Sequence, residues 1–269
     1  MSNRPIGVFD SGLGGLTVLK EIMKILPNEN IVYFGDTARV PYGPRSKDTV
    51  IKYTFQAINF LLSKDVKAIV IACNTATARA LKEANEKYDI PIIGVIEAGA
   101  RTAAYSTKNK IVGVIGTEGT ISSKAYNLEI GKIDKDIKII DKACPLFVPI
   151  VEEGWANTDI ASLTAKKYLH ELIKQDIDSL VLGCTHYPLL KRTIGEVVGE
   201  QIKLVNPAKE TAKDIKIILQ NKSLVRHEDS LNSIYEYYVS DIPEKFASIA
   251  EEFLNKEIQN IKNVEIQKY

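Results

Sequence analysis

The chain has few of the residues that build a metal centre or a disulfide scaffold. Of its 269 residues only three are cysteine and three are histidine. Three cysteines cannot form a disulfide framework. Without a closely spaced cysteine pair, His170, His186 and His227 give no pattern for a dedicated zinc site, so no metal is expected. No apolar run approaches the roughly 18 residues of a membrane span. The opening Met1-Ser2-Asn3-Arg4-Pro5 lacks the apolar core and cleavage site of a signal peptide. Charge of one sign is not in excess either, because 35 basic residues face 34 acidic ones and the net charge is +1. The electrostatic footprint of a nucleic-acid binder is therefore missing. The expectation is a cytoplasmic protein in a reducing compartment where free thiols persist, with a small-molecule partner and neither nucleic acid nor membrane.

Nucleotide-binding loops are lacking as well. Gly12-Leu13-Gly14-Gly15-Leu16-Thr17 follows a strand-like run and opens a helix-like one. The third glycine of a dinucleotide fingerprint would fall on Thr17, however, and no lysine occupies the phosphate-binding position of a P-loop.

What the chain does have is alternation and repetition. With 45% apolar residues it can bury a substantial core. Short apolar runs at 6–10, 31–34, 68–72 and 92–95 alternate with helix-like stretches at 15–26, 47–62 and 75–88, the pattern of parallel strands joined by crossover helices. From about Glu97 the alternation restarts, with strands expected at 111–115, 137–141, 180–182 and 203–205 and helices near 122–128, 159–173 and 188–197. Beyond the break at Asn206-Pro207 come an amphipathic stretch at 208–219, a strand-like 234–239, a helix-like 243–254 and a polar end, 255–269, expected to fray. The fold class is α/β: two similar domains, each a mainly parallel sheet flanked by helices, facing each other across a cleft. Residues 1–97 with 207–269 are expected to form the first, and 98–206 the second.

Two segments are near copies: Val70-Ile71-Ala72-Cys73-Asn74-Thr75 and Val181-Leu182-Gly183-Cys184-Thr185-His186. The segments starting at Ile6 and Ile111 match at nearly the same offset, as a duplicated half would. In open α/β sheets ligands bind beyond the carboxyl ends of strands, and Asp10-Ser11, Asp36-Thr37, Cys73-Asn74-Thr75, Gly116-Thr117 and Cys184-Thr185-His186 all fall at such ends. A cysteine between a strand and a helix start sees the positive end of the helix dipole, which lowers its pKa and suits a base. Buried packing is the competing role for either cysteine alone, and Cys144, which has no matching copy, reads as packing. Asn74, Thr75 and Thr185 serve equally as helix caps or as donors to a carboxylate. Val40-Pro41-Tyr42-Gly43-Pro44 is a stiff turn that either approaches a ligand or simply reverses the chain. Asp10 and His186 could tune the thiols, although a histidine at a strand end is commonly structural, and Glu152 would by default be solvated.

Together, Phe9-Asp10-Ser11-Gly12-Leu13-Gly14-Gly15, Pro41-Tyr42-Gly43, Ala72-Cys73-Asn74-Thr75-Ala76, Glu152-Glu153-Gly154 and Leu182-Gly183-Cys184-Thr185-His186-Tyr187-Pro188 resemble the glutamate racemase family, in consistent order from Ile6 to about Pro207. The resemblance implies interconversion of L- and D-glutamate without a cofactor, supplying D-glutamate for bacterial peptidoglycan, and a homodimer. It assigns Cys73 and Cys184 as the two acid/base groups, pairs Asp10 with the first, and pairs His186 and Glu152 with the second. On the same basis Ser11, Tyr42, Gly43, Asn74, Thr75, Thr117 and Thr185, with Asp10 and His186, hold the substrate. A pseudo-two-fold axis would relate the domains. With five residues ahead of the first strand, the control by cell-wall precursors that acts through a leader in some relatives is not expected. Three rivals remain at this level: a racemase of aspartate or a related amino acid, a thiol redox protein, and a two-lobed solute-binding module.

Overall fold

The computed structural model describes residues 2–226, 232–254, 258 and 261–269. His227 and five of the residues in the expected fraying tail (255–257, 259 and 260) lie outside the described residues. In chain order the first part runs β1 (Ile6–Asp10), α1 (Leu16–Ile25), β2 (Ile31–Gly35), α2 (Lys47–Ser63), β3 (Ala68–Ile71), α3 (Asn74–Lys87), β4 (Ile92–Gly94) and α4 (Ile96–Ser106). The middle runs β5 (Ile111–Gly116), α5 (Glu118–Ser123), α6 (Ala125–Ile133), β6 (Lys138–Ala143), α7 (Phe147–Glu152), α8 (Asp159–Ile173) and β7 (Ser179–Gly183). A 3-10 turn (Tyr187–Leu190), α9 (Lys191–Val198) and β8 (Lys203–Val205) complete it. The end adds α10 (Pro207–Asn221), β9 (Tyr235–Val239), α11 (Pro243–Leu254), β10 (Ile261–Asn263) and a last 3-10 turn (Ile266–Lys268).

These strands form two sheets, ordered β10-β9-β2-β1-β3-β4 and β6-β5-β7-β8, and every pairing in both is parallel. The order β2-β1-β3-β4 in the first sheet is repeated strand for strand as β6-β5-β7-β8 in the second. The registers match as well. Val8 lies opposite Val70 in one sheet and Val114 opposite Val181 in the other, so Cys73 and Cys184 each fall three residues past an equivalent position. In both sheets the first strand has its successor on one side and the third strand on the other, which opens a crevice at the carboxyl ends of that pair.

Both faces of the central strands are covered, which explains why β1, β2, β3 and β7 are buried along their whole length rather than alternating, whereas the edge strand β6, with Lys138, Asp141 and Lys142, is partly exposed. Ile6, Val8, Tyr33 and Val70 pack toward α1, α10 and α11, while Phe9, Phe34, Ile69 and Ile71 pack toward α2 and α3. In the second sheet Val112, Val114 and Val181 meet α4 and α6, and Ile115, Leu180 and Leu182 meet α7, α8 and α9. α4 thus packs with the second sheet, and α10, through Ala208, Ala212, Ile215 and Leu219, with the first.

The structure departs from the sequence pattern in four places. Ile96–Ser106, where the sequence pattern marks no element ahead of the strand at 111–115, is a helix; its small residues let it lie close to α6 and α10. The single helix expected near 122–128 is two, broken at Lys124, whose φ of 57° is left-handed. The helix expected at 188–197 starts as a 3-10 turn and becomes α-helical at Lys191. The polar end does not simply fray, since Ile261–Asn263 pairs with β9 and Ile266 is fully buried. Among the described residues no helix is long and apolar enough to cross a membrane.

Candidate active site

One wall of the crevice is built at the carboxyl ends of β1 and β3. Cys73 caps α3, and its sulfur accepts the Ala76 N–H at 3.4 Å, one of the donors a helix start leaves unpaired. The thiol donates to Ser11 Oγ at 3.4 Å. Behind it Asp10 is completely buried, with Oδ2 accepting the Gly12 N–H at 3.0 Å and Oδ1 facing the Thr185 hydroxyl at 3.4 Å. Burial pushes the Asp10 carboxyl above the usual range, against the pull of the His186 charge and the Gly12 and Gly15 amides. Burial, then the Asp10 charge, pushes the Cys73 thiol up to about 12, while the Ser11 and Ala76 hydrogen bonds work the other way. The lowered pKa expected from the helix start is therefore reversed, because loss of water outweighs one N–H and a partial dipole.

The opposite wall is built at the end of β7. Cys184 follows Gly183, and its sulfur lies 3.8 Å from His186 Nδ1. His186 Nε2 is 3.1 Å from Glu152 Oε1 at the end of α7, so Glu152 is not the solvated surface carboxylate its position in the sequence suggests. Burial opposes ionisation of His186, yet its hydrogen bonds and charge interactions with Cys184 and Glu152 raise it to about 10. The raised value favours the protonated ring, the form that can donate from both nitrogens, to Cys184 and to Glu152.

Ser11, Tyr42, Gly43, Cys73, Asn74, Thr75, Thr117, Cys184, Thr185 and His186 border one cavity, together with Val40, Pro41 and Val148. Asp10 and Glu152 stand behind that lining, each touching it through one neighbour. Cys73 and Cys184 are 5% and 7% exposed, and the Cys184 charge adds to the upward push on the Cys73 thiol. Cys144, at the end of β6, does not border the cavity; burial raises its thiol to about 12 and it packs in the second sheet's core.

Several contacts around the cavity go beyond what the sequence pattern marks. Tyr42 gives its hydroxyl proton to Asp36, whose other oxygen accepts from Ser240, so that proton is already engaged within the protein. Thr117 caps α5, lies 2.8 Å from Thr75 across the crevice, and both meet Thr120. A threonine three residues after a capping threonine was the available cue for Thr120. Tyr126 donates to Asn74 Oδ1 at 2.8 Å from the far half of the molecule. The glycine run that failed as a nucleotide loop acquires a steric reason. A Cβ on Gly14 would strike Thr185 and the His186 ring, and one on Gly15 would strike Asp10.

Comparison with known proteins agrees with this geometry. Residues 6–215 match the family model described as Asp/Glu/Hydantoin racemase. The glutamate racemase of Geobacter metallireducens is 50% identical over 264 residues, covering 98% of this chain and 97% of that protein. Among solved structures, glutamate racemase isoform RacE1 from Bacillus anthracis superimposes with a TM-score of 0.94 at 42% identity, covering 98% of each chain. The glutamate racemase of Francisella tularensis, solved in complex with D-glutamate, gives a TM-score of 0.93 at 43% identity over 100% of each chain. A duplicated parallel-sheet architecture, two cysteines at equivalent strand ends and full-length similarity converge: the chain belongs to the Asp/Glu/hydantoin racemase family.

Proposed function

We propose that the protein interconverts L- and D-glutamate by passing the α-proton between Cys73 and Cys184. The observation that carries this reading is the pair of sulfurs, brought by equivalent strand ends of two repeated sheets to the border of one cavity. A carbon held between them loses a proton to one side and regains one from the other, which is inversion. One residue acting alone would tend to return the proton to the face it left.

In one direction the Cys184 thiolate takes the α-proton while Cys73 gives its own to the opposite face. Cys184 ends as a thiol and Cys73 as a thiolate. The His186 imidazolium, held by Glu152, stabilises negative charge on the Cys184 sulfur, and burial keeps the proton on Cys73 until it is needed. In the reverse direction the Ser11 hydroxyl and the Ala76 N–H ease ionisation of Cys73, and Asp10 orders the loop beneath it. Asn74, Thr75, Thr117 and Thr185 supply donors for the substrate's carboxylates, with Ser11, Gly43 and His186 completing the grip, Tyr42 walling the cavity, and Asp10 acting from behind the lining through Thr185. Holding the carbon in contact with both sulfurs supplies the proximity that so weak an acid requires. The reading includes cofactor-free turnover, a cytoplasmic location, a homodimer, supply of D-glutamate for peptidoglycan, and a division into 1–97 with 207–269 and 98–206.

The test is α-proton exchange in D2O, started separately from each glutamate enantiomer, with L-aspartate in parallel. Deuterium should enter the α-carbon of both glutamates and optical activity should decay to the racemate. Cys73→Ser and Cys184→Ala should each lower racemisation by about 10²- to 10⁴-fold. Undiminished turnover in either variant refutes the two-thiol mechanism, and turnover of aspartate alone reassigns the substrate.

A further inference from the structure

The bond between Tyr126 and Asn74 crosses from one half of the molecule to the other and joins a buried phenol to a side chain that borders the cavity. Asn74 is the first residue of α3, directly after Cys73, and its side chain lines the cavity shared by both sulfurs. Its amide has two ends of nearly equal size and opposite hydrogen-bonding character, an acceptor oxygen and a donor NH2. Which end faces the cavity decides whether a carboxylate is attracted or repelled.

In the structure the oxygen end meets Tyr126, whose hydroxyl donates its one proton to Asn74 Oδ1 at 2.8 Å. Burial raises its ionisation out of the physiological range, so the proton stays in place. With Oδ1 committed, Nδ2 is left as the other end of the amide, and among the described residues it forms no hydrogen bond within the protein. The ring has been given room to do this. A Cβ on Gly99 of α4 would lie 3.1 Å from the Tyr126 hydroxyl, and one on Gly183, immediately before Cys184, would lie 3.0 Å from the ring edge. A small residue is thus present on two sides of the phenol, one of them at the strand end that carries the second sulfur.

We infer that Tyr126 is a positioning residue: it holds the Asn74 amide with its NH2 toward the cavity and so sets the grip on a substrate carboxylate. It touches no reacting atom and acts through Asn74 alone. The inference rests on the proposed glutamate racemisation, and the experiment separates the two. Wild-type protein is assayed first, and absence of racemisation there removes the proposed function without bearing on the contact.

Given an active wild type, Tyr126→Phe keeps the ring and deletes the bond. KM should rise about five- to tenfold for both enantiomers, as expected for one lost hydrogen bond and a freed amide, while kcat stays within about twofold. The same substitution is then made in an Asn74→Ala background. There the phenol has nothing to orient, and adding Tyr126→Phe should change KM by less than about twofold. An unchanged KM in the single variant overturns the inference. So does an equal rise in both backgrounds, which would mark a general packing effect. Thermal melting of all variants is measured alongside, and a KM change that tracks lowered stability in both backgrounds counts against it in the same way.

Discussion

At the scale of single residues the two walls are electrostatically unlike although their backbones repeat. Burial and then the Asp10 carboxylate push Cys73 toward the thiol, whereas the neighbour of Cys184 is the His186 ring. His186 also ties the site to stability. Its folded value of about 10 lies above the 6.5 of a free histidine. Below the unfolded value both states carry the proton and the contribution to stability is complete. As pH rises toward the folded value the unfolded chain gives up its proton while the folded one retains it, so the contribution is lost across that window. Melting temperature should therefore fall between pH 6.5 and about 10 in the wild type. Glu152→Gln removes one of the two partners that raise His186, so this variant should melt lower at pH 6.5 and lose less on going alkaline. Parallel melting profiles for the two proteins would exclude the Glu152–His186 pair as the source.

At the scale of elements the glycines separate positions that serve the site from positions that do not. Gly14, in the β1–α1 loop, has Thr185 and His186 where a side chain would go; Gly131, in α6, has no heavy atom within 4 Å of that point. Gly14→Ala must displace two residues bordering the cavity and should lower kcat/KM by roughly a hundredfold, the scale of an ångström-sized misplacement. Gly131→Ala should leave turnover alone and add about 0.5 kcal/mol of stability, because alanine favours the helix. Steady-state kinetics and denaturant melts on the pair check both. The same contrast explains what the sequence disclosed. Strand ends were legible because apolar runs stop where chemistry-bearing residues start, and the copied cysteine segments marked the repeat. Helix α4 was hidden because Ala98, Gly99, Ala100, Ala103 and Ala104 carry no strong apolar period, and β10 because its partner β9 lies beyond an intervening helix. Tyr126 gave no sign, since its partner Asn74 is remote in sequence, and neither did the direction of the Cys73 shift, which depends on how completely packing excludes water.

At the scale of the whole molecule the two sheets meet around a cavity whose sulfurs are almost sealed from solvent, so a charged amino acid enters only if the halves part or a loop moves. The bonds that span the crevice suggest where to look. Gly119, in the first turn of α5, donates its N–H to Gly43 O at 2.9 Å, so an amide the helix itself leaves unpaired is satisfied by the opposite half. Thr75 meets Thr117 at 2.8 Å, and Arg79 donates to Ser122 at 2.6 Å along the same seam. Parting of the halves exposes these groups to water, whereas a sheet amide such as Ala72, bonded to Phe9 O at 2.8 Å, stays covered. Hydrogen exchange should therefore be faster in a peptide spanning 117–123 than in one spanning 68–73 when no ligand is present. Saturating D-glutamate, which on the proposed reading is held by residues of both halves, should slow the first peptide and leave the second unchanged. If both peptides are already protected and neither responds, the halves do not separate. Access must then come from movement of the Val40–Pro44 loop alone, and the slowing should appear in a peptide covering that loop instead.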